Sequence, residues 1–213
     1  MELFEPGAAV VARDAARRAG RTGACSPIRR TIPGAGGNGD TTGLARRAAR
    51  RTRARGAVLG LLIDPRVGDA GARRRRRTQR PEFALGEISG VPGHVPLEGE
   101  FNVETARRRQ LHVHRADVPW VPHGLSGRWR CCAKDGVRVV LASKKCQAAD
   151  QEMFRHVGIE PRQQRILALK SSVHFRADFE PIAREVLVVA APRPAKADPT
   201  MFSLVAVAAG TAS

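Results

Sequence analysis

The sequence predicts an α/β fold: a small sheet with parallel members and flanking helices, interrupted by disordered Arg-rich segments. Three features lead there. Residues 56–63 (GAVLGLLI), Ile166–Leu169 and Val186–Val189 are unbroken apolar runs of the length of a strand buried on both faces. A helix-type pattern at residues 151–157 lies between two such strands. Gly, Pro and Arg clusters separate the segments, an alternation typical of parallel sheets.

Residues 1–32 are Ala/Arg-rich with no apolar face, and read as a weakly helical, poorly ordered opening. Residues 33–43 (PGAGGNGDTTG) hold five glycines, a loop whose backbone N–H groups could cradle an anion. No Lys-Ser/Thr pair closes it as a P-loop; the bland alternative is a turn in which Asp40 or Thr41 caps a helix. Residues 45–55 have the helix-forming Ala and Arg but lack an apolar stripe. The strand at 56–63 ends in Asp64-Pro65, placing a carboxylate at the strand's C-terminal end.

Periodicity fails over 66–83, returns with short Gly/Pro-punctuated segments over 84–103, and fails again over 104–135, which reads as irregular. Residues 137–143 form a strand. Asp150 suits the start of the helix at 151–157, with Gly158 as its stop and Pro161 beyond. Met153, Phe154 and Val157 give that helix its apolar face. The strands Ile166–Leu169 and Val186–Val189 flank a polar block carrying Lys170, Ser171, Ser172, His174, Arg176 and Asp178, as a crevice at a sheet edge requires. Residues 201–213 read as a tail.

The formal charge is +17. Before Val137 there are 26 basic and 13 acidic residues, and from Val137 onward 11 and 7, so the excess is concentrated in the front part. Five consecutive arginines at 73–77 favour non-specific polyanion binding and suggest, as an alternative function, a basic nucleic-acid-binding protein acting through its Arg-rich segments. No aromatic stacking platform accompanies them, and no Tyr exists in the chain. No run approaches the ~20 apolar residues of a membrane helix, so no membrane partner is expected and the cytoplasm is the expected location. Cys131 and Cys132 are adjacent, which argues against a disulfide framework. They could join His112, His114 and His123 in a zinc site, but neighbouring cysteines on a strand point to opposite faces. Ser171 or Ser172 with His174 and Asp178 has neither triad convergence nor a Gly-x-Ser-x-Gly elbow.

Three patches carry a resemblance when taken together: residues 33–65, then 89–101 (SGVPGHVPLEGEF), then GVRVVLASKKCQAADQEMFRHVGIEP from Gly136 with KSSVHFRADFEPIA from Lys170. In this order they resemble the C-terminal domain of the microcystinase C (MlrC-like) metallopeptidases, with residues 33–200 as that domain. The resemblance implies peptide or amide hydrolysis by a zinc ion held in a separate N-terminal domain, which becomes the expected partner. It implies no cofactor bound by this chain, and no peptidase activity from the chain alone. Residues that would face substrate or cleft are Asn38, Asp40 and Thr41 in the glycine loop and Lys170, Ser171 and His174 in the polar block. No residue is assigned to catalysis or to a metal. The matching stops over 66–83 and 104–135, where Arg concentrates, which suggests a fragmentary, frame-shifted gene. Translating the source DNA in the other two frames should then yield family-like sequence opposite those gaps, and its absence there would end that idea.

Overall fold

A computed structural model of the protein describes residues 3–4, 23–27, 39–49, 56–66, 82–87, 94–107, 111–112, 124–125, 127–171, 173–184 and 186–189. The strands are β1 (Leu3–Phe4), β2 (Gly23–Pro27), β3 (Ala57–Ile63), β4 (Glu82–Leu85), β5 (Leu97–Glu100), β6 (Asn102–Arg107), β7 (Leu111–His112), β8 (Gly124–Leu125), β9 (Trp129–Lys134), β10 (Val137–Ala142), β11 (Ile166–Leu169) and β12 (Val186–Val189). The helices are α1 (Gly43–Ala49), α2 (Glu152–Arg155) and α3 (Arg176–Phe179).

Eight strands form one sheet in the order β1-β12-β2-β11-β3-β10-β9-β6. Pairing is parallel from β1 through β10, and β9 runs antiparallel to both β10 and β6. The expected α/β class is therefore found. All seven residues of β3 are buried, because it lies mid-sheet with apolar layers on both faces. Alternate residues supply the two layers. Val140 and Ala142 of β10 and Leu167 and Leu169 of β11 join Met153, Phe154 and Phe179 on one face. Val139, Leu141 and Ala168 join Ala45, Leu85, Leu97 and Phe101 on the other.

Gly60 interrupts β3 where its register against β10 shifts, as glycine within a strand often does. A Cβ there would lie 2.7 Å from the Phe154 ring, so the missing side chain lets α2 sit close to the sheet. Asp150 helps to start α2, its Oδ1 accepting from Glu152 N at 2.7 Å, and Gly158 takes the positive φ of 82° just beyond the helix.

Three sequence expectations are corrected. Residues 3–4 and 23–27, expected within a weakly helical opening, are strands of the main sheet, and β2 sits between β12 and β11. Gly-Ala-Cys-Ser-Pro has little strand propensity of its own; its neighbours' backbones supply the ladder. Residues 129–134, expected to be irregular, form β9, whose first four residues are all buried. Burial on both faces removed the alternation that would have signalled a strand. Lastly, α1 begins at Gly43 and Arg46 N donates to Thr42 O, so neither Asp40 nor Thr41 caps it.

Candidate functional site

Asp64 follows the carboxyl end of β3 and Lys170 that of β11, where Lys170 lies against β3 and Asp64 against β10, and residues 39–42 bond to both β3 and Lys170. Ile63 N donates to Gly39 O at 3.1 Å, and Lys170 N donates to Gly60 O at 2.6 Å, so the loop and the lysine are both tied to β3. Lys170 Nζ donates to Gly39 O (3.1 Å), Thr41 O (2.6 Å) and Thr41 Oγ1 (3.1 Å). The lysine is 2% exposed. Burial pushes its pKa down to about 7, and the charge of buried Asp40 opposes that shift.

Asp64 is buried and its carboxylate is occupied by backbone: Oδ1 accepts from Arg66 N at 3.1 Å and Oδ2 from Gly86 N at 3.2 Å. Thr42 Oγ1 donates to Val95 O at 2.8 Å, which ties the start of α1 to the chain leading into β5. Gly86 (φ 75°) packs into this junction, where a Cβ would meet Asp40 O at 2.5 Å, Thr42 Cγ2 at 2.8 Å and His94 Nε2 at 3.0 Å. Only glycine fits there. Burial lowers the pKa of His94, with the charge of Asp40 the main opposing influence.

The structure thus brings Asp40, Thr41 and Lys170 together. Ser171 is adjacent but faces inward, its Oγ accepting from Phe175 N at 3.2 Å at the entry to α3. His174 lies half-buried in the turn before α3, and no hydrogen bond among the described residues joins it to Lys170. Asn38 and Ser172 lie outside the described residues, as do His114, His123 and the arginines at 73–77. Asp64, Gly86 and His94 complete the cluster. Asp64 was readable as a carboxylate at a strand end, whereas nothing in Pro-Gly-His-Val-Pro announced His94.

Asp178 accepts from Gln151 N and Gln151 Nε2, so with Ser171 bound to Phe175 no Ser–His–Asp relay exists among the described residues. Cys131 and Cys132 point to opposite faces of β9, one into each core layer. Burial raises both thiols, Cys132 to about 12, and Cys131 Sγ donates to Glu104 Oε2. Among the described residues no group of three or more His, Cys, Asp or Glu side chains could hold a metal ion. No helix among them is long and apolar enough to cross a membrane.

Comparison with known proteins agrees with this architecture. The family model described as MlrC C-terminus matches residues 32–204. Microcystinase C of Sphingomonas sp is 27% identical over 161 residues, which is 74% of this chain and 30% of that protein. A crystal structure from Mesorhizobium sp. BNC1, named "Putative metallopeptidase", superposes with a TM-score of 0.72 at 19% identity, over 89% of this chain and 36% of that one, and shows the same fold. The chain spans about a third of the length of either relative. With the family model matching most of its residues, the chain belongs to the MlrC C-terminus family.

Proposed function

We propose that this chain is the C-terminal domain of an MlrC-like zinc metallopeptidase that hydrolyses a peptide or amide bond, its metal being held by a separate N-terminal domain in the cytoplasm. The observation that carries this reading is the match to the family's C-terminal part over residues 32–204, together with relatives of which the chain spans about a third. The carboxyl edge of the sheet is the face offered to that domain, as ligand crevices in open parallel sheets lie outside the carboxyl ends of the strands. Asp40, Thr41 and His174 form its cleft side, while Lys170 and Ser171 support it from behind through the hydrogen bonds given above.

The test combines the purified chain with the separately expressed N-terminal domain of microcystinase C, with zinc, and follows peptide hydrolysis. Turnover is expected only from the mixture. Zinc-dependent turnover by this chain alone, or no complex between the two, would overturn the proposal.

A further inference from the structure

We propose that Lys170 is a proton-sensitive latch on the 39–42 loop: the loop closes over the side chain as a neutral amine and opens when that amine takes a proton. This device is confined to the chain itself and does not rest on the peptidase reading.

The cage around Nζ consists of two carbonyls, Gly39 O and Thr41 O, and one hydroxyl, Thr41 Oγ1. A neutral amine fills it: two N–H bonds go to the carbonyls and the lone pair accepts the hydroxyl proton. An ammonium also fills it, donating to all three. Hydrogen-bond count therefore does not separate the two forms, and hydration does. The closed loop leaves the side chain 2% exposed, and a charge there lacks water unless the loop moves.

The charged and titratable groups nearby do not reverse this. Asp40, on the loop itself, favours the ammonium but is a smaller influence than burial. His94, on the segment leading into β5, is kept toward its neutral form by burial, and Arg46 of α1 acts on it in the same direction. Asp64, at the end of β3, accepts from two backbone N–H groups. Gly39 at the loop's start has φ 78°, a conformation glycine can leave and regain freely.

The sign follows from linkage. With the closed lysine titrating at about 7 and a hydrated lysine near ~10.4, the open loop binds the extra proton between these values, so lowering pH through that window favours opening. Below about 7 both forms are protonated and the effect levels off.

Two measurements on the full chain test the latch. The first follows the Lys170 side-chain carbon signal by NMR against pH, assigned by its loss in Lys170→Arg. The second follows hydrogen exchange of the Ile63 amide, whose partner is Gly39 O, corrected for intrinsic rates. Expected are a Lys170 titration near neutrality and Ile63 opening that increases by up to about tenfold per pH unit from pH 9 to 7. Lys170→Met should remove that dependence. A Lys170 midpoint near 10 in the folded wild type, opening independent of pH, or an unchanged dependence in Lys170→Met would each overturn the proposal. If Lys170→Met does not fold, the wild-type NMR midpoint decides alone.

Discussion

Phe154→Ala is expected to lower the unfolding free energy by about 3–5 kcal/mol, the range for removing a large aromatic ring from a packed core. Phe154 is fully buried, meets Phe179 edge to face at a centroid distance of 5.5 Å, and closes on the space left by Gly60. The reverse change, Gly60→Ala, introduces a methyl 2.7 Å from Phe154 Cε1 and Cζ and 3.4 Å from Val140 Cβ. It should destabilise by about 1–3 kcal/mol through overpacking. Because both changes act at one contact, their effects should not add. In Phe154→Ala the cavity accepts the new methyl, so the double variant should be more stable than the sum of the singles by more than the ~0.5 kcal/mol scatter of independent sites. Denaturant unfolding of the four proteins measures this, and strict additivity would show that the ring and Gly60 are not in contact.

The second expectation concerns pH. Lys170 has a folded pKa of about 7, below its unfolded value, so from about pH 7 upward the unfolded chain holds a proton that the folded chain has released. Stability then rises with pH. The ideal slope is about 1.4 kcal/mol per unit, an upper limit of about 2 kcal/mol between pH 7 and 8.5. The buried thiols of Cys131, Cys132 and Cys146 act oppositely. Their folded pKa values are raised, so above the ordinary thiol value of ~8.5 the unfolded chain loses protons first and stability falls. His94 and His156, both lowered by burial, add a decline on the acid side below ~6.5. The resulting curve should peak near pH 8.5. Lys170→Met should flatten only the rise between pH 7 and 8.5, and a variant that keeps the full rise would assign it to another group.

Much of the fold was legible because its central strands are continuous apolar runs. Residues 56–63 and Ile166–Leu169 became β3 and β11, and within the expected 151–157 the helix is the shorter α2, Glu152–Arg155, capped by Gln151 and His156. The outer parts were not. Trp-Arg-Cys-Cys-Ala-Lys has no alternation to betray β9, and Gly-Ala-Cys-Ser-Pro is a strand only because β11 and β12 pair with it. At the candidate site, Lys170 was marked in the polar block after a strand, and Asp40 and Thr41 in the glycine loop. Which of them meet was not marked, since Lys170 and Thr41 are 129 positions apart.

What the sequence determined by itself was the class of fold, the identity of the central strands and the family resemblance, because these follow from local apolar runs and contiguous motifs. The tertiary structure decided the roles. It bonded Lys170 to the 39–42 loop and Ser171 to Phe175, and brought His94 and Gly86 into the cluster. Burial and hydrogen-bond partnership arise between segments far apart in the chain, and no local pattern of residues encodes them.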